Sequence, residues 1–139
     1  IWAMLIDIDF FKKINDTLGH ISGDHVLAEL GNKLNQSFPS DMVVRFGGEE
    51  FAVLMINLSQ EEALQKAENL RKEVAKLKPA NVDLTISLGL SSMKDHPESN
   101  LTQLLALADK ALYHSKEFGR NRVSINLADG IIPSPLHDD

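Results

Sequence analysis

Apolar residues fill every position from Ile1 to Ile6 before the chain turns acidic at Asp7 and Asp9. An unbroken run of that length, ending in Asp-x-Asp, predicts a strand buried on both faces and central in a sheet, with its two acids on one face at the carboxyl end. Phe10 to Leu18 then reads as a short helix with Asp9 at its N-cap. Gly19 to Gly23 reads as a loop, and Asp24 opens the next helix, whose Leu27, Leu30, Leu34 and Phe38 recur at helical spacing. Pro39-Ser40-Asp41 ends it.

Next come two strand-like runs, Val43 to Phe46 and Phe51 to Leu54, separated by Gly47-Gly48-Glu49-Glu50. A Gly-Gly pair between β-branched and aromatic residues predicts a tight hairpin, because the turn needs positive φ where glycine alone is unstrained. Ser59-Gln60-Glu61-Glu62 has the form of a capping box, followed by a stripe of Ala63, Ala67, Leu70, Val74 and Leu77 up to Lys78-Pro79. Val82 to Leu90 alternates as a strand. Asn100 to Gln103 is a second cap, ahead of Leu101, Leu104, Leu105, Ala108, Leu112 and Ser115 on one helix face, with Phe118-Gly119 closing that helix. Arg122 to Asn126 is a last short strand. Residues 128–139, with two prolines and three aspartates, read as a flexible end.

The predicted order is β-α-α-β-β-α-β-α-β. Helices alternating with strands, plus one hairpin, describe an α/β (α+β) domain with a mixed sheet, helices on one face and a ferredoxin-like βαββαβ core.

Length and composition narrow the function. A chain of 139 residues with 43% hydrophobic and 24% charged residues makes one globular domain. Its net charge of -6 lacks the basic footprint of a general nucleic-acid binder, yet allows a nucleotide whose phosphates are met by a metal. The absence of cysteine removes disulfides, zinc-thiolate sites and thiol chemistry, as suits the cytosol. No apolar run is long enough to span a bilayer, and Ile1 to Ile6 lacks the basic flank of a signal peptide. Because the chain opens inside a strand-like run, we expect it to be part of something longer.

The candidate chemistry is carboxylate chemistry. Asp7 and the Glu49-Glu50 pair fall on elements that such a sheet sets side by side. Carboxylates with no Cys and no paired His make an all-oxygen site suited to Mg²⁺ or Mn²⁺, which binds through one or two acids and substrate phosphates. Two adjacent acids at a turn repel each other unless a cation offsets them. The amides around Phe10, Phe11 and Lys12 open a helix and could meet a phosphate, with the Lys12 ammonium beside them to stabilise phosphoryl charge. Asn15 and Asp24 have the donors and acceptors to read a guanine edge, or they end and cap helices. Lys116 and Arg120, one turn apart, could hold a triphosphate or complement the helix dipole. No GxxxxGK[ST] is present, so this is no P-loop protein.

Together these residues resemble the GGDEF domains. The run Asp7 to Asp16 with Gly19-His20 and Gly23-Asp24 is similar to their first signature. Gly47-Gly48-Glu49-Glu50-Phe51 is similar to the GGEEF form of the name-giving motif, and Ala108 to Tyr113 with Lys116 and Gly119-Arg120-Asn121 to the closing one. The resemblance covers residues 2 to about 125 and implies a domain over 1–127 with a nucleotidyl-cyclase palm-like sheet. It further implies a diguanylate cyclase, in which two GTP molecules condense into cyclic di-GMP with release of pyrophosphate across a homodimer. By that resemblance Asp7, the Ile8 carbonyl, Glu49 and Glu50 make the metal site, and Glu49 also accepts the proton. Asn15, His20 and Asp24 contact the guanine nucleotide, Lys12 stabilises the transition state, and Lys116 and Arg120 hold phosphates. The expected location is cytoplasmic, under an upstream sensory or regulatory domain that could be membrane-anchored, with no membrane contact by this domain itself.

The sequence departs from the family pattern twice. Phe38-Pro39-Ser40-Asp41 stands where many members have an inhibitory Arg-x-x-Asp, so product inhibition through that site is not expected. The family's usual opening helix and its Asp-x-Leu-Thr-x-Leu-x-Asn-Arg segment have no counterpart. Two other readings stay open at this level: an inert GGDEF-type module that binds GTP or a protein partner without condensation, and a different two-metal nucleotidyltransferase on a similar sheet.

Overall fold

The computed structural model describes residues 1–137. Its elements are β1 (Trp2–Ile8), α1 (Phe11–Leu18), α2 (His20–Ser37), β2 (Met42–Phe46), β3 (Glu50–Met55), α3 (Gln60–Leu77), β4 (Ile86–Ser92), α4 (Leu101–Glu117), β5 (Val123–Leu127) and β6 (Gly130–Pro133). The strands form one sheet in the order β2-β3-β1-β4-β5-β6. β1 lies antiparallel between β3 and β4, and only the β4–β5 pair is parallel. The first four strands with α2 and α3 are the predicted ferredoxin-like core, and α4 is the crossover that returns to a parallel fifth strand.

β1 is buried along its whole length because both of its faces are covered. Trp2, Met4, Ile6 and Ile8 point into the main core, against Val26, Leu30 and Leu34 of α2 and Ala63, Ala67 and Leu70 of α3. Ala3 and Leu5 point the other way, into a smaller core with Ala52, Leu104, Ala108 and Leu112. The helices therefore cover both faces, which corrects the single-face expectation. The reason lies in β4, where Gly89 falls on the α4 side. A Cβ there would sit 2.2 Å from the Leu112 nitrogen and 2.3 Å from the Ala108 carbonyl oxygen. Only a residue without a side chain lets the α4 backbone come so close.

Both predicted caps form. Ser59 and Glu62 exchange side-chain-to-backbone hydrogen bonds at the start of α3, as do Asn100 and Gln103 at the start of α4. The strand expected over 82–90 is shifted to Ile86–Ser92. Its would-be partner β1 ends at Ile8, opposite Ile86, so residues 82–85 have no ladder to join. Nor is the end of the chain simply flexible: Gly130–Pro133 pairs antiparallel with β5, Ile132 opposite Ile125, with Gly130 at φ 136°. Residues 138 and 139 of the segment read as flexible lie outside the described residues. Phe38, which stands where many family members have an inhibitory arginine, is buried in the main core. No helix among the described residues is long and apolar enough to cross a membrane.

Candidate active site

β1 carries Asp7 at the end of its buried run, opposite Glu50 on β3 and Ser87 on β4. Its side chain is only 7% exposed and forms an ion pair with Lys116 from α4. Its Oδ1 is buried with no hydrogen-bond partner. Burial lifts the Asp7 carboxyl above the usual range; the Lys116 hydrogen bond and charge pull it back only in part, and Asp9 adds to the rise. Glu50 is raised too, by burial first and then by the charges of Asp7 and Asp109.

The hairpin brings Glu49 to the same place. Its turn has three residues, Gly47 to Glu49, rather than a two-residue Gly-Gly turn, with φ 63° at Gly47. Arg45 braces it by donating from Nη2 and Nε to the Gly48 carbonyl at 2.8 and 3.2 Å. Glu49 thus sits at the last turn position, half-buried, while Glu50 opens β3.

Asp9 is not the N-cap that its position suggested. Its carboxylate accepts from Thr85 Oγ1 and Ser87 Oγ, both at 2.6 Å, and from the Asn121 N–H at 2.9 Å. The N-cap is Phe10, in the left-handed region at φ 57°, with no side-chain cap. The N–H groups of the first turn of α1 therefore lack an intrahelical acceptor and open toward the carboxylates. Asp7, Ile8, Lys12, Glu49, Lys116 and Arg120 all line one open cavity of about 510 Å³. A second cleft of about 530 Å³, on the other flank of α1 against Ala75 and Leu84, is mainly apolar and holds none of these six.

Three predicted nucleotide contacts lie elsewhere. Asn15, His20 and Asp24 stand at the corner between α1 and α2, which turns at Gly19 with φ 89°. Because α2 begins at His20, Asp24 is inside the helix and does not start it. His20 and Asp24 are exposed, whereas the Oδ1 of Asn15 is buried and unpartnered beside Gly23. The geometry thus gives a carboxylate-and-cation cavity plus a separate polar corner.

The donor set fits a divalent cation. It is all oxygen, and one buried Asp7 oxygen lacks any partner. Among the described residues no three carboxylate or imidazole side chains converge on a point. Asp7, Glu49 and the Ile8 carbonyl would thus leave the remaining positions to water and phosphate oxygens, the usual arrangement for Mg²⁺.

Residues 1–122 match the sequence model of the family described as "Diguanylate cyclase, GGDEF domain". The chain belongs to the GGDEF family. It is similar to Diguanylate cyclase A of Treponema denticola, at 43% identity over 128 residues, 88% of this chain and 34% of that protein. It is 41% identical over 133 residues to Diguanylate cyclase DosC of Escherichia coli K12, covering 88% of this chain and 28% of that one. The chain therefore spans about a third of the curated relatives it matches. Among solved structures it resembles the active GGEEF domain of a diguanylate cyclase from Vibrio cholerae, with a TM-score of 0.82, 35% identity, and coverage of 89% of this chain and 81% of that one.

Sequence reading missed the internal partners of this GGDEF site. Asp9 has the position of a cap, and no motif marks Arg71. Arg71 lies four residues after Ala67 and three before Val74, inside the apolar stripe of α3, and that spacing was the available signal.

Proposed function

We propose that this domain is a diguanylate cyclase. The observation that carries the reading is one cavity lined by the buried Asp7 carboxylate with a free oxygen, by Glu49 and Asp16, and by four cationic side chains, Lys12, Lys13, Lys116 and Arg120. That pairing of an acidic half with a cationic half matches a metal-bound nucleoside triphosphate.

In the proposed reaction the 3′-hydroxyl oxygen of one GTP attacks the α-phosphorus of another. The new O3′–Pα bond forms as the Pα–O bond to the β-phosphate breaks, and pyrophosphate leaves. Repetition in the opposite sense closes the ring. Glu49 accepts the hydroxyl proton. Lys12 and the uncapped amides of α1 meet the negative charge that grows on the phosphoryl oxygens. Lys116 turns from Asp7 to the phosphates, and Arg120 holds them from the far side. Bound Mg²⁺ or Mn²⁺, held by Asp7, the Ile8 carbonyl and Glu49 with Glu50 in support, would supply Lewis-acid polarisation. Asn15, His20 and Asp24 select guanine at the α1–α2 corner. The active unit is a homodimer, since each site offers one nucleotide and the product needs two. An upstream regulatory domain is proposed from the length of the relatives.

The test is product analysis after incubation with GTP and Mg²⁺ at high protein concentration. Cyclic di-GMP from the wild type and none from Glu49→Gln is the expected result. Guanine nucleotide binding without any product from an assembled dimer would favour the inert module instead.

A further inference from the structure

The loop after α4 holds three consecutive residues at positive φ: Gly119 at 129°, Arg120 at 63° and Asn121 at 47°. Glycine accepts such a backbone readily and asparagine tolerates it, but arginine is strained there. The loop nevertheless sets the Arg120 guanidinium 4.6 Å from the centre of the Phe10 ring, at the wall of the carboxylate cavity. Something must hold it.

The Arg120 backbone is tied locally, its N–H donating to the Ser115 carbonyl at 2.9 Å and its carbonyl accepting from Arg122 Nε at 3.0 Å. A further hold, on the next residue, comes from α3, a helix with no residue in that cavity. Arg71 and Glu68 form an ion pair at 2.8 Å, with side chains 7% and 1% exposed. A buried pair of this kind contributes little net stability, because desolvation offsets most of the attraction. What this pair does have is direction. With Nε fixed on Glu68, the planar guanidinium aims Nη1 at the Asn121 side-chain oxygen, 3.0 Å away. The Asn121 N–H in turn donates to Asp9, which Thr85 and Ser87 fix from β4 and the segment before it. Asn121 is thus clamped from both sides, and Arg120 is the residue just before it.

We propose that Arg71 is a positioning residue of this site: through Asn121 it locks the left-handed loop that keeps Arg120 over Phe10 and aimed at the β- and γ-phosphates of the nucleotide. The inference rests on the cyclase reading for the ligand, but not for the lock itself.

Two variants separate the lock from mere folding. Arg71→Lys keeps a charge beside Glu68 and loses the planar fork. Asn121→Gly keeps the left-handed backbone and loses the side-chain oxygen. The first readout needs no nucleotide: in the wild type the Phe10 ring current shifts the Arg120 side-chain protons upfield in the NMR spectrum, and both variants should lose most of that shift while staying folded. The second readout is affinity in Mg²⁺ for the α,β-methylene analogue of GTP and for GMP. Each variant should weaken the analogue about tenfold, near the loss of one charge-assisted contact, and leave GMP unchanged. In an Arg120→Ala background Arg71→Lys should cost nothing further.

An unaltered Arg120 shift, an equal loss for GMP, or an undiminished loss in the Arg120→Ala background would each overturn the proposal. If the wild type bound no guanine nucleotide, the cyclase reading would fail, and the ring-current comparison would still decide whether Arg71 sets Arg120.

Discussion

Asp7 is the residue on which the opposing demands of this site meet. A carboxylate held at the end of a buried strand costs stability, and the fold keeps it there with one oxygen unanswered. Its folded pKa lies above the ordinary carboxylate value, so across the interval between the two the folded state binds the extra proton. The stability contribution is therefore complete below the unfolded value and is lost as pH rises through the folded one. Without metal, the domain should become more stable as the pH falls through that raised value toward the ordinary carboxylate range, and Glu50 adds to the same slope. Asp7→Asn should flatten the slope and raise the neutral-pH melting temperature by a few degrees, for a gain of about 1 kcal/mol, while abolishing product. Melting curves over a pH series check this; a lower melting temperature with the slope intact would refute it. Gly23 gives a second separation of stability from function. A Cβ there would sit 1.8 Å from Asn15 Oδ1, so Gly23→Ala must swing that side chain away. Alanine favours the helix by up to about 1 kcal/mol, so the variant should melt no lower than the wild type, yet its KM for GTP should rise about tenfold.

The elements that local sequence rules describe were legible; those set by distant partners were not. β1, the hairpin and both capping boxes each depend on residues within a few positions of one another, and their patterns stood out. Asp9 looked like a cap because caps are local, whereas its real partners Thr85, Ser87 and Asn121 are 76, 78 and 112 residues away. The same holds for the left-handed backbone at Phe10, where no glycine marks the turn, and at Arg120, where Gly119 marks the turn but not that the residue after it is left-handed too. The site was legible in its residue types for a similar reason: carboxylates and cations announce themselves, but the split between the cavity and the Asn15 corner needed coordinates. The side of the sheet that α4 covers is not legible, because Gly89 in a strand gives no hint of which helix will lie on it. Gly89→Ala should therefore act on the element as a whole. Its Cβ would strike backbone atoms of Ala108 and Leu112, which cannot swing aside. We expect a destabilisation of about 3 kcal/mol and a lift of α4 that parts Lys116 from Asp7. Gly31→Ala is the control: its nearest contact is an ordinary 3.7 Å to the Phe51 ring, and it should melt at or slightly above the wild type with activity intact.

At the scale of the whole molecule, the sheet delivers its chemistry at one end. The end of β1, the hairpin tip, the start of α1 and the last turn of α4 converge there, while the cores run beneath. One such end holds charge suited to one nucleotide: Asp7 and Glu49 for a cation, and the cationic groups of Lys12, Lys116 and Arg120, with Lys13 beside them, for a triphosphate. Among the described residues nothing offers a second, opposed copy, so in the proposed reaction a ring with two phosphodiester links calls for two molecules face to face. If that is right, turnover per mole of protein cannot be constant under dilution. Below the dimer dissociation constant it should fall in proportion to protein concentration, because the fraction paired falls that way. Joining two copies through a parallel coiled coil ahead of Ile1 should restore dilute activity by raising the effective concentration of one site at the other, to roughly millimolar. GTP binding should stay independent of dilution, because each half-site holds its nucleotide alone. Pyrophosphate release measured over a hundredfold dilution series, beside equilibrium binding on the same samples, separates the two. A specific activity that stayed flat to the lowest concentration, in a species shown by light scattering to be monomeric, would mean that one chain completes the reaction unaided.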